Sequence, residues 1–130
     1  MKIFLAVALG AALGGVSRHY FSVSVQPRLG SFPWSTMIIN VSGSLLLGFV
    51  MRYALATPSL SVAMRVLLTT GFCGGFTTFS TYSFETVTLL ENGEYQRAGA
   101  YAFGSMLLAL VATIAGFMLA RGLITLRERI

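Results

Sequence analysis

The chain has 130 residues, of which 55% are hydrophobic and only 10% are charged, and its formal net charge is +5. The nine basic residues are scattered singly, without a run or a basic face, so their pattern does not indicate nucleic-acid binding. A composition this apolar is typical of a membrane protein, and we predict an all-α membrane protein.

Uncharged stretches predict where the chain crosses the membrane. Residues 29–51, 66–84 and 98–120 contain no Asp, Glu, Lys or Arg, and residues 3–17 form a shorter stretch of this kind. A spanning helix needs about 20 mostly apolar residues. The sequence therefore predicts one membrane domain over residues 1–130, built from four transmembrane helices. Their predicted bounds are about 3–23, 33–55, 61–90 and 95–124.

The first predicted helix carries a row of small residues, because Ala6, Gly10 and Gly14 recur at every fourth position. Such a row lets another helix approach closely, and here it suggests an antiparallel dimer. Arg18 follows near the end of this helix. It is interpreted either as an anchor at the membrane interface or as a residue near a pore mouth, where it would attract anions.

Polar rows also mark the second and fourth predicted helices. The members, spaced four apart, are Asn40, Ser44 and Gly48 on the second helix and Tyr101, Ser105, Ala109 and Thr113 on the fourth. An amide within a bilayer needs a hydrogen-bonding partner or a polar solute. Helix packing explains each row alone, but the two rows and the third helix together outline a pathway.

The third predicted helix contains the most unusual segment, residues 71–85, in which glycines, hydroxyl residues and aromatic residues are crowded together. The pair Gly74–Gly75 should interrupt the helix, and we predict a break near residues 74–80. Membranes tolerate broken backbone only where protein buries it or where it lines a polar cavity. Carbonyl oxygens freed at the break suit a hard cation such as Na⁺, although neighbouring helices or water could also bind them.

The residues after the break suit a small anion. Aromatic residues spaced three apart, such as Phe79 and Tyr82, usually pack in a core, but their rings also present positively polarised edges. The hydroxyls of Ser80 and Thr81 are hydrogen-bond donors beside them. Glu85 is the only carboxylate inside a predicted span, and it either pairs with a basic group, lies near the membrane interface or couples transport to protons. The sequence contains no pattern of a nucleophile with its base, a metal cluster or a nucleotide loop. We therefore predict no catalytic residues and no enzymatic activity.

The distribution of basic residues bears on orientation. Four spans place six of them on the side of both termini and three on the other side. The bias favours cytoplasmic termini in the cell (inner) membrane, yet it is weak enough to permit insertion in both orientations.

Three segments resemble the Fluc/CrcB family of fluoride channels: Gly-Gly-Val-Ser-Arg at residues 14–18, Thr-Met-Ile-Ile-Asn-Val-Ser-Gly at 36–43, and Thr-Gly-Phe-Cys-Gly-Gly-Phe-Thr-Thr-Phe-Ser-Thr at 70–81. The resemblance covers nearly the whole chain. It implies an antiparallel, dual-topology homodimer with two fluoride pores, each lined by both subunits. Cytoplasmic F⁻ would leave passively through these pores, which would give resistance to fluoride.

The same resemblance assigns roles to individual residues. It implies a structural Na⁺ at the dimer centre, held by the backbone carbonyls of Gly74 and Thr77, and no organic cofactor. The residues implied in the fluoride pathway are Asn40, Phe79, Ser80, Thr81, Tyr82, Ser105 and Thr113. Arg18 matches a vestibule residue, and Glu85 and Tyr101 match a polar track. Tyr82 stands where the family usually has Phe, and Ala109 stands where relatives often carry a hydroxyl.

Two other classes of function remain open. A small proton-coupled exporter of drugs or cations also uses four helices and antiparallel dimers, but Glu85 would be its only acid within a span. A membrane assembly subunit that transports nothing would show packing rows without a broken, hydroxyl-rich helix.

Overall fold

The computed structural model describes residues 1–58 and 60–129, and its elements are all helices. They are α1 (Lys2–Leu29), α2 (Trp34–Ala56), α3 (residues 62–76), α4 (Phe79–Glu91) and α5 (Tyr95–Glu128). Within α3, a π-helical stretch at Leu67–Cys73 lies between α-helical turns at Val62–Val66 and Gly74–Phe76. In the described part of the chain, four helical stretches are long and apolar enough to cross a membrane, with α3 and α4 counting as one. The prediction of four spanning helices is confirmed.

Two helices are longer than the sequence predicted. Helix α1 continues past residue 23 to Leu29 and accommodates Pro27 in its last turn. Its end is stabilised by Gln26, whose side-chain amide donates to the carbonyls of Gly30 and Phe32, each at 2.8 Å. Helix α5 continues past residue 124 to Glu128, where Arg127 lies in the last turn and complements the helix dipole.

The glycine pair does not break the third spanning segment. Gly74 has helical torsions, and the extended backbone is confined to Thr77 (ψ 157°) and Thr78 (φ −149°) before α4 begins. Gly75 instead allows helix contact, since a Cβ there would lie 2.6 Å from the carbonyl oxygen of Ala11. The prediction of non-helical backbone over residues 74–80 was therefore too wide.

Helices α1 and α3 pack closely against each other at the glycines of α1. A Cβ at Gly10 would lie 2.2 Å from the carbonyl oxygen of Leu67, and one at Gly14 would lie 2.3 Å from that of Phe72. The row of Ala6, Gly10 and Gly14 is thus a packing surface, as expected, but it contacts α3 of the same chain. This row therefore does not indicate a dimer, because a row of small residues permits close approach but does not specify the partner.

Helices α2 and α5 make the most extensive contact between elements. A Cβ at Gly48 would lie 2.5 Å from the carbonyl oxygen of Thr113, and one at Gly116 would lie 2.2 Å from that of Leu45. The two polar rows predicted on these helices therefore lie along one shared seam.

The outer surface of the helices is apolar. Phe4, Phe103 and Leu107 are among many large apolar side chains that are mostly exposed. An exterior of this kind suits lipid or another membrane helix rather than water.

Candidate ion pathway

A cleft of about 220 Å³ lies where α2, α4 and α5 meet the extended backbone at Thr77 and Thr78. Its lining residues are Asn40, Gly43, Ser44, Leu47, Thr77, Thr78, Phe79, Tyr82, Ser105, Met106 and Ala109. Four of the predicted pathway residues, Asn40, Phe79, Tyr82 and Ser105, are brought together here. Ser80, Thr81 and Thr113 are not among the residues that line this cleft.

Asn40 clamps the extended backbone. Its side-chain nitrogen donates to the carbonyl of Thr78 at 3.0 Å, and its side-chain oxygen accepts from the backbone N–H of Thr78 at 2.7 Å. The amide nitrogen carries a second hydrogen, which makes no further bond within residues 1–58 and 60–129. Asn40 therefore holds the break and still has one donor for a solute in the cleft.

The hydrogen bonds between Asn40 and Thr78 leave the carbonyl oxygen of Gly74 without its usual helical donor. In a continuous α-helix the N–H of Thr78 would donate to Gly74, but here it donates to Asn40. Gly74 is also exposed, and a Cβ there would have only the carbonyl oxygen of Thr69 nearby, at 4.0 Å. The oxygen thus has the chemistry of a hard-cation ligand.

Arg18 reaches the break from α1. Its guanidinium donates to the carbonyl of Thr77 at 3.2 Å, and the residue is half-buried. This contact places the charge against the backbone that lines the cleft. The carbonyl of Thr77 keeps a second lone pair for another donor or a cation.

Hydroxyl groups cluster around Thr78 at the start of α4. The Thr78 hydroxyl accepts from the backbone N–H of Thr81 at 3.2 Å, donates to the Thr81 hydroxyl at 2.9 Å and lies 3.3 Å from that of Ser80. This is a helix N-cap, which satisfies a donor that the helix start leaves free. Ser80 and Thr81 are exposed. They do not line the cleft, but their hydroxyls contact that of Thr78, which does.

The two aromatic residues of the cleft differ in how they are held. Phe79 is 77% exposed, and its ring centroid lies 5.4 Å from that of Tyr82. Tyr82 is half-buried, and its hydroxyl donates to the carbonyl of Ala102 on α5 at 3.1 Å. The phenol of Tyr82 is therefore bonded to α5, and this bond fixes the ring in place.

Ser105 and Thr113 lie on the same face of α5 but differ in their bonding. The Ser105 hydroxyl is buried, lines the cleft and has no hydrogen-bond partner within the described residues. Because a buried polar group without a partner is costly, this hydroxyl is suited to bind a solute. The Thr113 hydroxyl instead donates to the carbonyls of Ala109 at 3.0 Å and Ser44 at 3.4 Å.

Glu85 forms a separate polar site with two hydroxyls. It accepts from Tyr101, which is fully buried, at 2.6 Å and from Thr36 at 2.9 Å. It also lines a second cleft of about 280 Å³ near the loops that join α1 to α2 and α4 to α5. Thr36 was missed by the sequence interpretation, although it lies four residues before Asn40 and extends that polar row by one turn.

The fold and the cleft define a multi-pass membrane protein whose spans enclose a polar, hydrogen-bonded site. The chain belongs to the CrcB family, since the model of that family, "CrcB-like protein, Camphor Resistance (CrcB)", matches residues 5–117. The resemblance seen in the sequence motifs is thereby confirmed.

Similar proteins cover the chain almost completely. A protein of Geobacter sulfurreducens is 46% identical over 124 residues, which are 95% of this chain and 100% of its own length. One of Nitrobacter winogradskyi is 47% identical over 118 residues, 90% of this chain and 94% of the relative. One of Thermus thermophilus is 45% identical over 125 residues, 95% of this chain and 99% of the relative. Each of these relatives is named fluoride-specific ion channel FluC.

Proposed function

We propose that this protein is a fluoride-selective channel through which cytoplasmic F⁻ leaves the cell down its gradient. The names of its relatives support this, and the observation that carries it is the cleft. There the buried, unpartnered hydroxyl of Ser105 lies with the amide of Asn40 and the exposed ring of Phe79. No carboxylate is among the lining residues that the structure describes, so no formal negative charge of a side chain there repels an anion.

The mechanism is replacement of water around the ion by weak donors. F⁻ would bind the free amide hydrogen of Asn40, the hydroxyl of Ser105 and the positively polarised edges of Phe79 and Tyr82. Arg18 would raise the potential near the break without lining the cleft. None of these donors binds so strongly that the ion could not leave, which a conducting site requires.

We further propose an antiparallel, dual-topology homodimer with two pores. The exposure of Phe79 and Gly74 supports a second subunit, because each pore would then be closed by residues of the other chain. The weak bias of basic residues supports insertion in both orientations.

At the centre of that dimer we propose a structural Na⁺. The Gly74 carbonyl, which lacks its helical donor, and the second lone pair of the Thr77 carbonyl fit a hard cation, and two subunits would supply four such oxygens. When bound, the cation would stabilise the non-helical backbone of both subunits. The charge of Arg18 opposes it, because its guanidinium donates to the same Thr77 carbonyl, so the cation would have to bind that oxygen on the side away from the guanidinium.

Ion efflux from liposomes that contain the purified protein tests the channel. We expect rapid F⁻ efflux, little Cl⁻ efflux, and no requirement for a proton gradient. Transport of a drug or cation that depends on a proton gradient would instead support the exporter with Glu85 as its coupling residue. An absence of any flux from correctly assembled protein would contradict both.

A further inference from the structure

Two shallow grooves lie at the end of the bundle where α1 begins and α5 ends, away from the polar cleft. The first, of about 350 Å³, lies between α2 and α5 and is lined by Met51, Arg52, Leu55, Phe117, Met118 and Arg121. The second, of about 460 Å³, shares Met118 and Arg121 and also includes Arg129. Apolar side chains and arginines thus line both grooves together.

The two arginines of the first groove lie at a similar level. The backbone of Gly116 packs against Leu45 and Phe49, and Arg52 and Arg121 follow about one helical turn further toward the termini. Both side chains are exposed, and neither forms a hydrogen bond or ion pair within the residues that the structure describes. The nearby carboxylate of Glu128 lines a different cleft, with Tyr53 and Arg127.

We propose that this groove binds an anionic phospholipid of the surrounding membrane. The phosphate would lie between the guanidinium groups of Arg52 and Arg121, which offer planar, paired donors to phosphate oxygens. The acyl chains would follow Leu55, Phe117 and Met118 into the apolar part of the groove. Basic pockets between membrane helices have this chemistry, and the apolar lining favours a lipid over free phosphate. The proposal does not depend on the ion that the polar cleft conducts.

Native mass spectrometry of the purified protein with phosphatidylglycerol or phosphatidylcholine tests this proposal. We expect phosphatidylglycerol to be retained preferentially. The double variant Arg52→Gln/Arg121→Gln should lower its retention by roughly tenfold or more, since each basic residue contributes separately to lipid attraction. Arg127→Gln, which removes a charge at the same end of α5 but outside both grooves, should retain lipid like the parent.

The remaining outcomes decide against the proposal. Equal retention of both lipids, or parent-like retention in the double variant, would overturn it. Displacement by inorganic phosphate would identify an anion site without a lipid, and loss of the dimer in the double variant would identify an interface between copies.

If the double variant does not fold, Arg52→Lys and Arg121→Lys keep the charge but remove the paired donors. Each should then weaken retention while its elution on a sizing column matches the parent.

Discussion

At the scale of single residues, the cleft separates side chains that hold the backbone from those with unused hydrogen-bonding capacity. Asn40 does both, because two of its hydrogen bonds fix Thr78 and one amide hydrogen remains. Ser105 belongs to the second kind and Thr113 to the first. Substitutions can therefore separate ion binding from folding.

The pair Ser105→Ala and Thr113→Ala tests this separation directly. We expect Ser105→Ala to leave the melting temperature unchanged, since no protein hydrogen bond is lost, and to lower F⁻ efflux by roughly tenfold or more, as a hydrogen bond to a charged group contributes about 1.5–3 kcal/mol. Thr113→Ala removes a hydroxyl from the same helix face outside the cleft, so efflux should persist. Liposome efflux and thermal unfolding measure both effects. Equal efflux in the two variants would contradict the assignment of Ser105.

Asn40→Asp should abolish efflux for two reasons. Its carboxylate places a negative charge in the path of an anion, and it cannot donate to the carbonyl of Thr78, which is left unsatisfied at a cost of about 1–3 kcal/mol. We expect a lower melting temperature together with the loss of efflux. Parent-like efflux in Asn40→Asp would refute the placement of the pathway beside this residue.

Phe79→Ile removes the polarised ring edge while it keeps a branched apolar side chain. We expect F⁻ efflux to fall by roughly fivefold to tenfold, because an aromatic contact contributes about 1 kcal/mol. Tyr82→Phe is the control: it keeps the ring and loses only the bond to Ala102, so efflux should match or exceed that of the parent. Dimer yield on a sizing column should not change in either variant. Undiminished efflux in Phe79→Ile would mean that the ring only packs.

At the scale of elements, two helices hold the extended backbone between α3 and α4. Asn40 reaches it from α2 and Arg18 reaches it from α1, while Gly14 and Gly75 set the distance between α1 and α3. The geometry of the cleft therefore depends on helix packing as well as on the residues that line it.

Gly14→Ala and Gly15→Ala should differ sharply although the positions are adjacent. A Cβ at Gly14 would lie 2.3 Å from the carbonyl oxygen of Phe72, whereas one at Gly15 would have nothing within 4 Å. We expect Gly14→Ala to destabilise the protein by about 1–3 kcal/mol by forcing α1 from α3. Gly15→Ala should be neutral or slightly stabilising, as alanine favours a helix. Thermal unfolding in detergent measures the difference, and equal melting temperatures would show that the helices can shift without cost.

At the scale of the whole molecule, the chain is a bundle with an apolar exterior and an open cleft. The cleft lies beside Phe79, which is 77% exposed, so one subunit does not enclose a pore. In the proposed homodimer, the partner subunit would complete the wall of the pore.

Labelling of single cysteines at the two termini tests the proposed assembly. In a dual-topology dimer, each terminus should react with a membrane-impermeant reagent from both sides of the membrane. Cys73 is buried and should contribute little background, and Cys73→Ala provides the control. Labelling from one side only would exclude dual topology, whatever the ion specificity of the protein.

The sequence by itself determined the four spans, the polar rows of α2 and α5, and the family. Apolar length and a repeat of about four residues are local properties, and the motifs around Asn40 and Phe79 are distinctive. Only the tertiary structure decided that the row containing Gly10 and Gly14 contacts α3, that Asn40 binds Thr78, and that Thr77 rather than Gly74 begins the extended backbone. A small residue permits close contact and an amide requires a hydrogen-bonding partner, but neither property specifies which helix or residue makes the contact. The identity of the contacting residue depends on packing between helices that are distant in sequence.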